Sequence, residues 1–569
     1  MEALRGGRFW LFFALATLIW FSLIGTRDLF DPDEGRYAEI PREMIAGDDW
    51  LTPRLMGLKY FEKPPMQYWQ TAAAYSVFGV SASAARLWPM LAGLLGVIWT
   101  GYLAARLYNR QTGYYAAAIT MSSMLYFGAA HYLTLDMSLS FFLMIAVGSF
   151  ALAQSSRSDP RACRNWMLLG WAALAGATLS KGLVGIVLPA GAVALHTLWA
   201  RDWSIWRHMH LGKGALLLLA LTAPWFVQVS LANDEFFEFF FIHEHFQRFT
   251  TTEHGREGPL YYFIPVLALG LFPWLVTVLR GLVGVSWRNT RRASDGAFGS
   301  THFFLLFSLV VFLFFSLSGS KLPLYVVPIL PFLAIMGGRR LARAGCSRVD
   351  GWMMIAFAAA IAAASPFIDR FATETVPLDM IEGLARWVLA AAIVWLVSGL
   401  LVLYAPLRRD TKVAGVALLA LIALQLTLWG VQALAPSRSA AAVAQLIDRS
   451  GVPVDAPVYL VGLASPSLAF YLQRVPVIVD YRGEMTMGQE AEPGKSLRGP
   501  DAMAAAWSAT SSAVAVVKSR LYSRYAGIFG EDVQICKDTR RTVVFKGRQS
   551  LGSEGCGDFE RVVSQQDKS

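Results

Sequence analysis

At residues 31–37 the chain reads DPDEGRY, directly after its first long apolar stretch. Four of these seven residues are charged, and a proline and a glycine hold the backbone around them in a defined conformation. A second polar cluster, FEKPP at residues 61–65, precedes the next apolar stretch. Acidic and basic groups gathered where a chain leaves the membrane indicate a site for a charged headgroup. The alternative is a juxtamembrane loop whose charges neutralise each other.

The composition indicates a membrane protein with many helical spans. The 569 residues are 55% hydrophobic and 16% charged, against about a quarter charged in soluble proteins, and the mean hydropathy is +0.45. Apolar runs of about 20 residues recur, which is the length that crosses the hydrocarbon core of a bilayer. We predict a mainly α-helical fold with about 13 spans, near residues 9–26, 84–107, 112–130, 134–154, 165–180, 182–200, 214–232, 259–281, 302–318, 324–340, 352–368, 384–405 and 413–434.

Basic residues determine the predicted orientation of these spans. Clusters of Lys and Arg recur in alternate connections, near residues 106–110, 157–164, 201–213, 288–292, 339–348 and 408–412. Because short cytoplasmic loops are enriched in Lys and Arg, the N-terminus, which carries Arg5 and Arg8, is predicted to be cytoplasmic. The first apolar segment lacks a small-residue cleavage site and is expected to be a retained span. An odd number of spans then places the C-terminus outside.

The chain is predicted to have two parts. Residues 1–436 form the membrane part, with long outward loops at about 27–83 and 233–258, and we expect short helices along the membrane surface at 36–45 and 66–78. Residues 437–569 form a small outward α/β domain, because short apolar strands alternate there with helical stretches. The predicted strands are 458–461, 475–479, 513–517 and 542–545, and the predicted helices are 440–449, 465–473 and 519–528. Cys536 and Cys556 could form a disulfide in this domain, or remain two buried thiols.

Several classes of function are disfavoured by the sequence. The basic residues are dispersed among short loops, which argues against a nucleic-acid partner. No Walker A motif is present, so ATP-driven transport lacks its phosphate-binding loop. The HEH at residues 243–245 does not have the spacing of an HExxH metal motif, and the two halves show no obvious repeat, which weakens the prediction of a secondary transporter.

The motifs and their order resemble those of known membrane transferases. An Asp-Glu pair after the first span, a long outward first loop, many spans and an outward C-terminal domain look like the GT-C glycosyltransferases, which include protein O-mannosyltransferases and oligosaccharyltransferases. Two stretches, LFDPDEGRYAEIPREM at 29–44 and YFEKPP at 60–65, more specifically resemble the bacterial aminoarabinose transferases that modify lipid A. The resemblance extends to LTLD at 133–136, LSKG at 179–182 and SKLPLY at 320–325.

The resemblance implies a GT-C fold and a particular reaction. Undecaprenyl phosphate carrying 4-amino-4-deoxy-L-arabinose would donate its sugar to a phosphate of lipid A at the periplasmic face of the bacterial inner membrane, giving resistance to polymyxin and cationic peptides. We expect a monomer. Two alternatives stay open, namely a GT-C enzyme that uses another polyprenyl-phosphate sugar with a protein or glycan acceptor, and a transporter of a polyprenyl-linked lipid. A transporter should carry polar residues through the membrane interior, whereas the charges here gather at one face.

Three carboxylates are the candidates for catalysis. Asp33 is the leading one, with Glu34 as its neighbour or substitute, and the alternative for Asp33 is an N-cap of a helix starting near Gly35. Asp136 lies at the outer end of a span, where an ionisable residue is a functional candidate. Lys181, which ends another span, is expected to extend its amine to the interface.

Five other side chains are predicted to bind substrate phosphate, with the donor phosphate as the expected ligand. Lys63 and Arg248 are the first candidates, because Lys supplies a point charge and Arg a bidentate fork. Arg36 and Lys321 are the second, and the hydroxyl of Tyr325 could also donate to phosphate.

A divalent metal such as zinc is a further hypothesis. Glu62 and His243 offer a carboxylate oxygen and an imidazole nitrogen, which are both zinc ligands. Two ligands are insufficient for a site, and the sequence alone does not show that they converge.

Overall fold

The structure is a computed structural model, and it describes residues 7–247, 258–286, 298–538, 540–547, 556 and 559–561. In that part of the chain, eight helices are long and apolar enough to cross a membrane, and a bent pair could make a ninth. The eight are Ala82–Leu107, Asp136–Ser155, Leu211–Ala232, Ser300–Leu317, Pro323–Ala344, Arg348–Phe371, Leu378–Tyr404 and Arg409–Arg438. The polytopic helical class is thus confirmed, and the number of about 13 spans stays a prediction.

Several predicted spans are shorter or broken. The span predicted at 112–130 consists of two helices, Arg110–Ser122 and Met124–Ala130, separated at Ser123. The span predicted at 259–281 is the bent pair Phe263–Gly270 and Leu275–Val283, whose axes differ by 112°. The remaining helices of the membrane part are Gly7–Phe21, Pro160–Lys181 and Val184–Ala200.

The loop predicted at about 27–83 is folded, and it contains the two predicted helices, as Asp33–Ala46 and Met66–Phe78. Between them a hairpin joins β1 (Arg54–Leu55) to β2 (Leu58–Lys59). The helices are confirmed, and their orientation along the membrane surface stays a prediction.

The loop predicted at about 233–258 contains the π-helix Glu238–Gln247. The rest of the predicted loop, up to residue 257, lies outside the described residues.

The C-terminal part contains a seven-stranded sheet. Its strands are β3 (Val458–Val461), β4 (Val477–Val479), β5 (Ser496–Leu497), β6 (Val514–Lys518), β7 (Val533–Lys537), β8 (Arg541–Lys546) and β9 (Glu560–Arg561). The strand order is β5-β4-β3-β6-β8-β7-β9. Strands β3 to β6 pair in parallel, whereas β8 pairs antiparallel with β6 and β7, and β7 pairs antiparallel with β9. The helices are Ala435–Arg438, Ala441–Arg449, Pro466–Leu472, Thr486–Ala491, Gly499–Ser508 and Tyr522–Phe529. The four predicted strands are confirmed, and Cys536 and Cys556 form a disulfide.

Both faces of this sheet are buried, against different partners. Alternate residues of β3 and β6 point to opposite faces, as expected of extended strands. Val461 and Val517 pack on one face against the helices Gly499–Ser508 and Tyr522–Phe529. On the other face, Leu460 shares a hydrophobic cluster with apolar residues of the first loop, including Leu29, Tyr37, Ile40 and Leu55. The first loop and the C-terminal sheet therefore have a common core, which places the DPDEGRY motif between the membrane helices and the sheet.

Candidate active site

Asp31 and Gly35 attach the motif to the C-terminal part. The carboxylate of Asp31 accepts hydrogen bonds from the hydroxyls of Ser465 and Ser467, both at 2.6 Å, and from the Ser467 amide at 2.8 Å. Burial raises the pKa of Asp31, although these hydrogen bonds oppose the rise. A Cβ on Gly35 would lie 2.5 Å from the Ser467 amide nitrogen, so only glycine permits this close approach. These two residues connect parts of the protein rather than bind a ligand.

Glu34 is the centre of a buried ion-pair network, and this corrects its predicted catalytic role. Its oxygens accept from the guanidiniums of Arg27 at 2.5 and 2.7 Å and of Arg86 at 2.9 and 3.1 Å. The backbone amides of Phe30 and Leu133 also donate to it. Burial alone would raise the pKa of Glu34, but the two guanidiniums lower it to about 2. Glu34 is fully buried, and its oxygens already accept several hydrogen bonds, so it is not accessible to a substrate. It instead joins the first loop to the membrane helices.

Asp33 is the accessible carboxylate of the motif. The helix Asp33–Ala46 begins at this residue, and its N-cap position is Pro32, so the predicted alternative of a capping role for Asp33 is wrong. About a third of its side chain is exposed, at 32%, and its Oδ1 lies 3.4 Å from Nη1 of Arg36. Asp33 thus combines access to a ligand with a nearby cation.

Arg36 forms an ion pair with a residue of the C-terminal part. Its Nη2 contacts Oε2 of Glu484, and the Arg36 side chain is only 6% exposed. The guanidinium carbon lies 5.7 Å from the ring centre of Tyr60. Burial raises the pKa of Glu484, whereas Arg36 lowers it. Because its charge is already matched, Arg36 is a weaker candidate for a substrate phosphate than predicted, and it instead brings Glu484 to the site.

Buried tyrosines line the site beside Arg36. Tyr37 and Tyr68 stack with their ring centres 6.0 Å apart, and Tyr60 is almost fully buried. The hydroxyl of Tyr60 has no hydrogen-bond partner among the described residues. Burial raises the pKa of Tyr60 well above its ordinary value, so the phenol stays neutral. A buried hydroxyl without a protein partner is available to donate to a polar ligand.

Asp136 and Lys181 form an ion pair at the ends of two membrane helices. Lys181 Nζ lies 2.6 Å from Asp136 Oδ1, and the residue Asp136 is buried whereas Lys181 is partly buried. The same amine lies 4.3 Å from the ring centre of Tyr325. The amine of Lys181 is thus paired within the protein, and its position at the membrane interface stays a prediction. Asp136 is paired rather than free, and Tyr325 presents its ring to this cation.

The remaining phosphate candidates differ in their surroundings. Lys63 is half-buried, and its amine donates to the Glu62 carbonyl at 2.6 Å. Lys321 is buried, and its amine donates to the Ser318 carbonyl at 2.7 Å, which satisfies part of its hydrogen bonding internally. Arg248 lies outside the described residues. The phosphate roles of Lys63 and Arg248 stay predictions.

The described residues add no further metal ligand to Glu62 and His243. His243 lies in the π-helix Glu238–Gln247, where its ring stacks on Phe239 at 5.1 Å. Across the described ranges, no group of three or more His, Cys, Asp or Glu side chains is arranged to hold a metal ion. The described side chains alone therefore do not make a zinc site, and metal binding by Glu62 and His243 stays a prediction.

The first and second long loops, predicted at about 27–83 and 233–258, contact each other beside an apolar groove. Lys59 Nζ lies 2.6 Å from Glu235 Oε1, and Asn233 donates to the Thr52 hydroxyl at 3.1 Å. Next to this contact lies a groove of about 490 Å³ with an almost entirely apolar lining. It is lined by residues that include Leu219, Phe226, Val227, Leu231, Phe237 and Phe240. The shape and lining suit a hydrocarbon chain.

The sequence analysis did not identify the roles of Arg27, Arg86 and Glu484, nor the buried tyrosines beside Arg36. Arg86 lies within an otherwise apolar helix, and a charge in such a helix needs a buried partner, so this signal was available. Glu484 is separated from Arg36 by 448 positions, and no local pattern relates the two.

The fold and the site define a multi-pass membrane protein of the GT-C class. Residues 8–236 match the family described as dolichyl-phosphate-mannose-protein mannosyltransferase, and residues 443–546 match the aminoarabinose transferase C-terminal domain. The chain belongs to the aminoarabinose transferase family of this superfamily.

Relatives and solved structures support this assignment. Proteins called undecaprenyl phosphate-alpha-4-amino-4-deoxy-L-arabinose arabinosyl transferase from Erwinia tasmaniensis and Proteus mirabilis are 34% and 30% identical. These alignments cover 58% and 67% of this chain, and 58% and 68% of the relatives. The crystal structure of ArnT from Cupriavidus metallidurans bound to undecaprenyl phosphate is 34% identical, with a TM-score of 0.88, covering 96% of this chain and 99% of that one. An Archaeoglobus fulgidus oligosaccharyltransferase, 11% identical with a TM-score of 0.51, covers all of this chain and 75% of its own and shares the fold alone.

Proposed function

We propose that this protein transfers 4-amino-4-deoxy-L-arabinose from undecaprenyl phosphate to a phosphate of lipid A. The observation that carries the proposal is the match along 99% of an ArnT chain crystallised with undecaprenyl phosphate. The site supports it, because the accessible carboxylate of Asp33 lies 3.4 Å from the ion-paired Arg36 in the first long loop. We propose that it acts as a monomer in the bacterial inner membrane, with the site on the periplasmic side.

The proposed reaction exchanges one carbon–oxygen bond for another. An ionised oxygen of the lipid A phosphate bonds to C1 of the sugar as the bond from C1 to the donor phosphate oxygen breaks, and the electron pair leaves with undecaprenyl phosphate. Because the acceptor is already ionised, the reaction needs no strong general base. Asp33 would position the acceptor or bind the sugar amine, and Lys63 and Arg248 would stabilise the charge that develops on the donor phosphate.

The apolar groove supports a lipid-linked donor. Both substrates carry hydrocarbon chains, and a site at the membrane surface lets these chains remain in an apolar environment. The groove between the second outward loop and the helices Pro160–Lys181 and Leu211–Ala232 is of that kind. The donor sugar is already activated by its phosphate link, which is consistent with a chain that lacks a nucleotide-binding motif.

The proposed activity predicts a change in lipid A. Expression in a strain that lacks its own transferase but makes the donor should add aminoarabinose to lipid A and raise polymyxin tolerance. Mass spectrometry of extracted lipid A measures the first effect, and growth in polymyxin measures the second. Unmodified lipid A, despite membrane-inserted protein and available donor, would contradict the proposal. A different sugar, or one found on a protein, would support the alternative GT-C function.

The proposed orientation predicts which loops react with an impermeant thiol reagent from outside. In a chain with Cys163 and Cys346 replaced by serine, a cysteine at Glu374 should be labelled in whole cells with a permeable outer membrane. A cysteine at Arg343 should be labelled only after lysis, because positively charged short loops stay cytoplasmic. Labelling of both positions from the same side would overturn the orientation.

A further inference from the structure

A basic surface lies where the last membrane helix meets the C-terminal part. We call it the junction patch, and it consists of Arg438, Lys518, Arg520, Arg540 and Arg541. Arg438 ends the apolar helical stretch Arg409–Arg438, so it lies at the level where a membrane span terminates. Lys518 ends β6 and pairs directly with Arg541 at the start of β8. Arg438, Arg520 and Arg540 are exposed.

The backbone that carries Arg438 is held from both sides. Its carbonyl accepts a hydrogen bond from the Asp31 amide at 2.8 Å, which ties it to the DPDEGRY motif. The preceding carbonyl accepts from the guanidinium of Arg540, and the following one accepts from Arg541 at 2.9 Å. Arg438 is therefore an exposed guanidinium on a fixed support, and less ordering is needed when it binds a ligand.

The junction patch concentrates positive charge. Five basic side chains meet here, whereas the acidic side chains that act on them among the described residues are Asp538, whose Oδ2 lies 3.1 Å from Nε of Arg541, and the buried Asp31. Partial burial lowers the pKa of Lys518, and the nearby Arg520 and Arg540 lower it further. Like charges held together in this way repel each other in the free protein, and an anionic ligand relieves the repulsion.

The patch is close to the proposed catalytic carboxylate. The Asp31 amide donates to the Arg438 carbonyl at 2.8 Å, and Asp31 is two positions from Asp33 in the same motif. Arg438 ends the apolar helical stretch Arg409–Arg438, and Asp33 begins the next helix after the apolar helix Gly7–Phe21. Both groups thus lie where a lipid headgroup would be exposed.

We propose that the junction patch binds the phosphorylated headgroup of the acceptor glycolipid and holds it beside Asp33. This inference rests on the proposed function, and it assigns the acceptor to the C-terminal part of the protein. Guanidinium groups suit this ligand because their planar fork binds phosphate oxygens in pairs. The acyl chains of the acceptor remain in the membrane, next to the helix that Arg438 ends.

The test compares Arg438→Gln and Arg520→Gln with a matched control, Arg498→Gln. Arg498 is also exposed, but it follows β5, which is an edge strand of the sheet. Arg520, in contrast, follows the interior strand β6. The full chain is placed in phosphatidylcholine nanodiscs, and binding of bisphosphorylated lipid A is measured without donor. Steady-state assays then give KM for lipid A and for the donor. Arg438→Gln should weaken lipid A binding and raise its KM about tenfold, with the donor KM unchanged, since a charge-assisted contact is lost.

The probes separate the proposal from its alternatives. Dephosphorylated lipid A should bind weakly, with the same affinity for the wild type and for both patch variants. Phosphatidylglycerol should not compete with lipid A. Equal competition by phosphatidylglycerol would identify a general membrane contact and overturn the proposal. An unchanged KM for lipid A in an active Arg438→Gln enzyme would also overturn it. If lipid A binding depends on Arg438 but no sugar is transferred, the proposed function fails and the patch assignment stands.

Discussion

Replacing Asp33 with asparagine is expected to abolish sugar transfer in a protein that still folds and binds its donor. Asparagine keeps the size of the side chain and part of its hydrogen bonding, but it removes the charge. Asp33 is partly exposed, and its contact with Arg36 is long, at 3.4 Å, so the substitution disturbs little of the fold. Loss of an oriented charge at the reacting groups should lower single-turnover transfer by roughly a hundredfold or more.

The matched control for this substitution is Asp379→Asn. Asp379 is an exposed aspartate that also lies in the first turn of a helix, Leu378–Tyr404. Its variant should transfer sugar at the wild-type rate. Donor affinity, measured separately, should be similar in all three proteins. Near-normal turnover in Asp33→Asn would exclude Asp33 as the essential carboxylate and direct attention to Glu62 and Asp136.

The neighbouring substitution Glu34→Gln is expected to act on stability instead. A neutral amide cannot match two buried guanidiniums, and Arg27 and Arg86 would be left without a counter-charge. Breaking a buried ion pair by removing one partner costs about 3–5 kcal/mol. Thermal unfolding of the detergent-solubilised chain should therefore begin at a clearly lower temperature than in the wild type or in Asp33→Asn.

The pH dependence of this difference follows from the direction of the pKa shift. Burial opposes ionisation of Glu34, but the two guanidiniums lower its folded-state pKa from 4.5 to about 2. Ionised Glu34 therefore contributes fully to the free energy of unfolding at a pH above its unfolded-state pKa. This contribution is lost as the pH falls through its folded-state pKa. Unfolding temperatures of wild type and Glu34→Gln should stay apart above about pH 4.5 and converge toward pH 2. Equal unfolding temperatures at neutral pH would show that the network is not stabilising.

The elements that depend on local pattern were predictable from the sequence. The helices at 33–46 and 66–78 and the four apolar strands carry their own periodicity and turn residues, so neighbouring positions suffice to identify them. The break at Ser123 was not predictable, because the apolar pattern continues across it and the helix on either side packs on different neighbours. Apolar composition reports burial in lipid or protein, and it does not report where a helix changes direction.

The motif shows the same limit at the level of single residues. Asp31, Asp33 and Glu34 are alike in sequence, and the structure gives them three different environments. Glu34 is excluded from chemistry by Arg86, which lies 52 positions away, and Asp31 by serines more than 430 positions away. Asp33 remains the leading candidate because neither Arg86 nor these serines contact it. Which carboxylate is accessible depends on long-range contacts, whereas the presence of a charged site could be inferred from the cluster itself.

The bond between Asp31 and Ser465 has a consequence for biosynthesis. The motif emerges from the ribosome early, whereas the serine that holds it is separated from it by 434 positions. At bacterial elongation rates of about 5–20 residues per second, that interval lasts roughly 20–90 s. Throughout this time Asp31 lacks its serine partners, and the apolar residues of the first loop lack the sheet against which they pack. Catalytic competence is thus acquired only after the C-terminal sheet has been synthesised and has folded onto the loop that carries the motif.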